Sequence, residues 1–323
     1  MVSLMKSFSI SSKYIIEQSI ILWLEVDIIS KEKNLFYVKW NWKEILFKST
    51  DFGWNSALWY KLCDDKELTY KILDRYNLPI AKSIYLAKDE FEEFDKDSIK
   101  KLNFPLIVKP IDEWHWNWVL MWISDFHELK NNLEKSFDIY DDMIIQEQVD
   151  WDEVRVLVVK WEIVAAINRV PAFVVWNWKN NIKELIEIEN NTNPLRWEWY
   201  DNSLAYIKID NELLNYIKKN NFDLDFIPKD LCKIQLRWNS NLWTGWIPVD
   251  ITDLISDNIK QVAINATKAL WMEICWVDIL TSDFTKSLNE TWWIILECNA
   301  TPWFSPIWQE KTKLALEIIF DLK

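Results

Sequence analysis

The 323-residue sequence predicts an α+β protein, and three observations carry that reading. Two stretches, "NLFYVKWNWKEILFKS" (34–49) and "DEVRVLVVKWEIVAAINRV" (152–170), read as hairpins, with apolar alternation on both sides of a short turn. Helical patterns lie between them. A helix at 257–270, the strands "CWVDIL" (275–280) and "WIILECNA" (293–300), and a C-terminal helix complete the pattern.

In chain order, "SSKYIIEQSIILW" (11–23) is amphipathic and leads into the strand "LEVDIIS" (24–30). After the first hairpin, "DDKELTYKILDRYNLP" (64–79) reads as a helix with Asp64 as N-cap, Glu67 three residues on and Pro79 beyond its end. "FPLIVKP" (104–110) is a buried strand, followed by a loop crowded with tryptophan, a second strand and a helix at "SDFHELKNNLEKSF" (124–137). "MIIQEQV" (143–149) is the strand before the second hairpin. Residues 176–230 are polar and Asn-rich, with one helix near "NELLNYIKKN" (211–220), and "CKIQLR" (232–237) returns to strand. There is no internal repeat.

Composition holds one anomaly: 24 Trp against 2 Gly. Ordinary usage is roughly 7% Gly, about 23 residues for this length. The surplus of one matches the deficit of the other, which points to a gene that uses UGA for glycine, written out with UGA as tryptophan. Gly53 and Gly245 are then glycines with ordinary codons. Asn41-Trp42, Asn117-Trp118, Asn177-Trp178 and Asp150-Trp151 become the Asn-Gly and Asp-Gly pairs that supply positive φ in tight turns. Trp271 falls just past the helix "DNIKQVAINATKAL", where a C′ glycine belongs. The alternative is a Trp-rich carbohydrate binder with exposed aromatic platforms; UGG codons at these sites decide for it.

A net charge of −13 and a pI near 4.8 exclude a general nucleic-acid binder. The four cysteines (Cys63, Cys232, Cys275, Cys298) form no CxxC pair; without a signal peptide they read as reduced thiols of a cytoplasmic protein. The run "YIIEQSIILWL" is broken by Glu17 and Gln18 and is too short and polar to span a membrane. His115 and His127 are the only histidines, which argues against His-rich zinc sites and a serine triad.

Two constellations carry chemistry. Read with glycine, "VKPIDEWHWNWVLMWI" (108–123) places Lys109 at a strand end before a loop of closely spaced glycines. Backbone amides free of side chains close over phosphates, and a lysine neutralises them. A glycine-rich loop alone equally describes a plain hairpin loop. The second constellation is Asp278 with Glu297 and Asn299, the last two on one strand face because they are two apart. Acids on neighbouring strands plus an amide oxygen make a hard-oxygen site for Mg²⁺ and nucleotide phosphates. A carboxylate capping a strand end is the alternative, but both acids lie within apolar strands, where an unpaired charge is costly.

These residues together resemble the ATP-grasp superfamily: "VKP" with its glycine-rich loop, "IIQEQVDWDEVRVLVV" (144–159), and the D…ExN set. The chain is most similar to the ATP-grasp domain of cyanophycin synthetases over roughly residues 63–310. The likeness is carried by "RVPAFVVWNWKNNIKELIEIENNTNPLRWEW" (169–199), "LRWNSNLWTGWIPVDIT" (236–252) and "LECNATPWF" (296–304). With glycine at the suspect positions these look like that family's "VVGDGK", "RGxGH" and "LRxxxNxSTGG" stretches.

The resemblance implies roles at matching positions. Lys66 and Lys109 contact ATP phosphates; Gln146, Glu147 and Val149 line the adenine; Glu153 binds the ribose. Asp278, Glu297 and Asn299 hold Mg²⁺, and Arg155 and Arg237 lie near the transferred phosphate or the acceptor carboxylate. Asn241 and Thr244 belong to a substrate-recognising loop. Without the motif, Lys66 reads as a solvated helix lysine and Arg155 as an exposed strand charge. The sequence departs from the family at Tyr200, where "RGxGH" has histidine, and after Asp253, where a histidine is missing. It also holds no counterpart of the Mur-ligase-like domain of cyanophycin synthetases.

The expected architecture is an ATP-grasp fold with a short N-terminal α/β lobe (1–62), a lid subdomain (63–145) and a C-terminal core (146–323). The expected activity is ATP- and Mg²⁺-dependent carboxylate–amine ligation through an acylphosphate, on amino acids or peptides, with no nucleic-acid or membrane partner. Glutathione-synthetase-like and ribosomal-protein glutamate ligases share the same ATP-handling parts. A non-catalytic ATP-binding or scaffold module of the same fold is the rival expectation.

Overall fold

The computed structural model describes residues 8–111, 119–149, 151–197, 204–227, 233–238, 245–287, 289–301 and 309–322. The fold is α+β, with mostly antiparallel pairing. It divides into two compact units: Met1–Gly53 with Val164–Thr252 and Trp303–Lys323, and Trp54–Ile163 with Asp253–Pro302. Among the described residues no helix is long and apolar enough to cross a membrane.

In the first unit, α1 (Ile10–Ile21) starts on Ser9, whose hydroxyl accepts the Ser12 N–H at 3.3 Å. β1 (Glu25–Ser30), β2 (Leu35–Trp40) and β3 (Lys43–Lys48) form an antiparallel sheet in that order. Alternation buries Phe36, Val38, Ile45 and Phe47, and the Phe36 and Phe47 rings stack at 5.4 Å. α1 packs on α8 (Gln309–Ile319). The rest of the unit pairs β9 (Glu162–Val170) with β14 (Ile247–Asp250) and β10 (Phe173–Val175) with β13 (Lys233–Gln235). β11 (Arg196–Trp197) and β12 (Leu204–Ala205) make a short parallel pair. α5 (Ile182–Thr192) and α6 (Asn211–Lys219) close over a core that includes Val174, Leu185, Ile207, Leu213 and Ile234.

The second unit begins with α2 (Ala57–Asp64) and α3 (Lys66–Arg75). A four-stranded sheet follows, in the order β4 (Ser83–Ala87), β7 (Asp142–Glu147), β5 (Leu106–Pro110), β6 (Leu120–Ile123). One face buries Leu86, Leu106, Val108, Met143 and Ile145 together with Leu129 and Leu133 of α4 (Phe126–Ser136). The opposite face therefore carries Ile107, Lys109, Ile144 and Gln146, with Ile107 opposite Gln146 and Lys109 opposite Ile144. β8 (Asp152–Val159), β15 (Ile274–Thr281) and β16 (Trp293–Asn299) run antiparallel with β15 central, and α7 (Asp257–Ala269) packs on them with α2 and α3. Cys63, Cys275 and Cys298 are free thiols.

The N-cap of α3 is Asp65, whose carboxylate accepts the Leu68 N–H at 3.0 Å. The expected cap, Asp64, is instead the last residue of α2, a helix with no fully buried residue.

Backbone geometry bears on the tryptophans. Trp23 (φ 62°), Trp122 (64°), Trp161 (64°), Trp178 (70°) and Trp271 (51°) are all left-handed, a region most side chains avoid. Trp23 and Trp271 are C′ residues of Schellman ends, with Leu24 N–H bonded to Ser19 O at 2.9 Å and Met272 N–H to Thr267 O at 3.0 Å. The same closure recurs at Asn77, Asn221 and Asp321. Lys160 (46°) and Trp161 are both left-handed in the two-residue link from β8 to β9, the demand of a type I′ turn. Asn41 (53°), not Trp42, takes this conformation between β2 and β3, and the Asp150-Trp151 pair falls partly outside the described residues. Trp118 lies outside the described residues.

Candidate active site

The register of β8, β15 and β16 assembles a row of charge. Arg155 lies directly opposite Asp278, and Asp278 directly opposite Glu297, so a guanidinium and two carboxyl side chains share one face across three strands. The Arg155 guanidinium grips Asp278 with both arms, Nε to Oδ1 at 2.6 Å and Nη2 to Oδ2 at 2.5 Å, and its Nη2 lies 3.6 Å from Glu297 Oε1. Asn299 Nδ2 donates to Glu297 Oε1 at 2.9 Å. Asp278 is fully buried. Burial works to raise the Glu297 carboxyl, but the charge of Arg155, the hydrogen bonds with Asn299 and Asp278 and the charge of Lys66 outweigh it and bring it down to about 2.

Two lysines border this row. Lys109, on β5, is buried, and burial and then the nearby Lys66 charge push it down to about 8, against the pull of Glu297. Lys66, the first residue of α3, donates from Nζ to Ile111 O at 3.1 Å, at the edge of the segment 112–118. That segment, the Trp-crowded loop, lies outside the described residues.

Gln146 shares the Lys109 face of the four-stranded sheet, and Glu153 lies two residues from Arg155 on β8, hence on the same face of that strand. Glu147 points away from Gln146. Its Oε1 accepts Asn103 N and Nδ2, each at 2.9 Å, and lies 3.7 Å from Lys82 Nζ. Val149 follows the end of β7, half-buried.

Arg237 belongs to the first unit. Its side chain is fully buried, with Nη2 donating to Asp210 Oδ2 (2.7 Å) and Lys208 O (2.5 Å) and Nη1 to Glu212 Oε2 (3.2 Å), which anchors the start of α6; Nε has no acceptor among the described residues. Asn241 and Thr244 lie outside the described residues, as does Tyr200.

One residue went unread in the sequence. Tyr70, buried in α3, donates its hydroxyl to Leu296 O at 2.7 Å and accepts Gln146 Nε2 at 3.3 Å. The signal was its place four residues after Lys66, which puts both on one helix face.

Among the described residues no three His, Cys, Asp or Glu side chains cluster as a metal site. The donor set here is two carboxylates and an amide, oxygen ligands of the kind Mg²⁺ takes when phosphates and water complete its shell. The residue types fit that ion.

Residues 63–198, which carry Lys66, Lys109, Gln146 and Arg155, match the RimK-like ATP-grasp domain. The chain is 30% identical over 263 residues to a cyanophycin synthetase from Crocosphaera subtropica, a match covering 80% of this chain and 29% of that protein. It is 27% identical over 300 residues to the glutathione biosynthesis bifunctional protein GshAB of Clostridium perfringens, covering 92% of this chain and 38% of the relative. The chain thus spans under two fifths of the length of these relatives. In fold it is similar to a bifunctional glutathione synthetase from Pasteurella multocida, with a TM-score of 0.71 at 21% identity, over 99% of this chain and 44% of that one.

Proposed function

We propose that the chain is an ATP-dependent carboxylate–amine ligase that forms an amide or peptide bond on an amino acid or peptide. The observation that carries this is the Arg155–Asp278–Glu297 row bordered by Lys66 and Lys109. It concentrates charges of both signs where phosphoryl transfer needs them, and such transfer depends on positioning and charge neutralisation more than on a covalent nucleophile. In this reading Lys66 and Lys109 hold phosphate oxygens. Gln146, the main chain of Glu147 and Val149 receive the adenine, and Glu153 takes the ribose. Asp278, Glu297 and Asn299 would hold Mg²⁺, which supplies charge neutralisation between the phosphates. Arg155 faces the transferred phosphoryl group while countering Asp278. A substrate carboxylate oxygen takes the γ-phosphoryl group from ATP, leaving ADP and an acylphosphate. The amine then attacks the acyl carbon, the C–O bond to phosphate breaks, and the amide forms with loss of phosphate and a proton. Asn241 and Thr244 contact substrate in this reading, whereas Arg237 holds Asp210 and Glu212 within the first unit.

We infer also that the left-handed tryptophans are glycine in the cell. Five Trp at φ near 60° and buried indole N–H groups without an acceptor at Trp176, Trp246 and Trp293 support this. Each orphaned donor costs about 1–3 kcal/mol.

The test is ADP release with Mg²⁺ across pairs of single amino acids and short peptides, on chains made with glycine and with tryptophan at the UGA positions. Release that requires both a carboxylate and an amine, from the glycine chain alone, is expected. Nucleotide binding with no release for any pair leaves a non-catalytic ATP-binding module, and UGG codons at 23, 161 and 271 end the glycine reading.

A further inference from the structure

We propose that Tyr70, acting through Gln146, sets which nucleobase the site accepts, a positioning role that rests on the nucleotide reading above. The Leu296 carbonyl can only accept, so the single phenolic proton of Tyr70 is committed to it across 2.7 Å. The phenol oxygen can then only accept from Gln146, so the carboxamide must turn its N–H₂ toward Tyr70, at 3.3 Å. The amide orientation follows from which groups can donate. Burial pushes the Tyr70 phenol well up, so the proton stays in place throughout the neutral range.

The consequence falls on the other end of the amide. Gln146 Oε1 has no hydrogen-bond partner among the described residues, and the side chain lies on the sheet face that carries Lys109. A planar base reaching this face with its phosphates toward Lys109 meets an acceptor at Gln146, never a donor. An exocyclic amino group, as on adenine, matches it. A 6-oxo group sets oxygen against oxygen, and a desolvated polar mismatch of this kind discriminates strongly. The same hydroxyl, through Leu296 O, ties the base end to the strand that carries Glu297.

The experiment is calorimetric binding of ATP and of inosine triphosphate, which carries a 6-oxo group, to the full chain and to Tyr70→Phe, Gln146→Met and Lys109→Ala. The parent chain is expected to prefer ATP, and Tyr70→Phe to shrink that preference about tenfold, the scale of one lost hydrogen bond. Lys109→Ala is expected to weaken both nucleotides alike and keep their ratio. An unchanged ratio in Tyr70→Phe, whatever happens to stability, overturns the proposal and leaves Tyr70 a packing residue. If Tyr70→Phe does not fold, Gln146→Met must lose the preference while keeping the Tyr70–Leu296 bond; a retained preference overturns the proposal equally. A parent chain that binds neither nucleotide sinks the nucleotide reading itself, whereas one that binds both equally sinks only the role of Tyr70.

Discussion

Arg155 and Arg237 each face two carboxylates, yet the surroundings of the two clusters differ. The acids on Arg237, Asp210 and Glu212, keep 44% and 43% of their side chains exposed, so water screens the surplus negative charge. Asp210 is also the N-cap of α6, and the whole cluster serves to fasten that helix. In the Arg155 row, Asp278 is 1% exposed and Glu297 35%, on neighbouring strands with no helix end to cap. Beside that row stand Lys66, whose charge acts on Glu297, and Lys109, pushed down to about 8 chiefly by burial. Equal counts of charge therefore mean different things. The Arg237 cluster, open to water at both acids, is structural; the Arg155 row, with Asp278 shut away from water, is the one to which we assign the ligand.

The comparison breaks or sharpens in three ways. Arg155→Met takes the guanidinium away from buried Asp278 and is expected to cost about 3–5 kcal/mol of stability without divalent cation. Added Mg²⁺ should return part of that loss, and the cost of Arg237→Met, whose acids can be solvated, should not respond to Mg²⁺. Equal responses in denaturant titrations would erase the distinction. Next, Glu297→Gln should lower Mg²⁺-dependent ADP release about a hundredfold or more, the scale of losing one preorganised charge-stabilising group. Glu212→Gln should leave release unchanged and cost at most about 1 kcal/mol of stability. The smallest effect concerns Lys109, at about 8 in the folded protein against an ordinary value of 10.5. Below pH 8 both folded and unfolded chains carry the proton, and burying the charge costs stability in full. Between pH 8 and 10.5 the folded chain sheds it first, so that cost fades as pH rises. Lys109→Met should therefore exceed the parent in stability at pH 7 by about 1–3 kcal/mol and lose its advantage toward pH 10.5. A gap that does not change with pH would show that Lys109 is not the strained group.

What could be read from the sequence followed from periodicity. The Glu297–Asn299 pair was legible because a strand repeats every two residues, and the hairpin at 34–49 because its alternation is clean; the hairpin at 152–170 is instead buried on both faces along 156–159 and 164–167. α5 was hidden in Asn-rich polar sequence, although its capping box, Asn181 with Glu184, was there to be seen. The placement of Arg155 against Asp278 was not legible, because the register of β8 on β15 joins residues 123 apart in the chain. Likewise nothing local said that Glu147 would turn from Gln146 to hold Asn103, or that Arg237 would be used up on Asp210 and Glu212. Such contacts depend on tertiary neighbours, which strand and helix periods do not name.

The Schellman end of α1 has a consequence outside structural chemistry. If Trp23 is a recoded glycine, the codon there is UGA, and a ribosome that treats UGA as stop ends the chain before β1 begins. The gene is then silent in any such host, and its spread by lateral transfer is confined to organisms that share its code. The left-handed turn that closes a helix also draws a boundary around where the protein can be inherited.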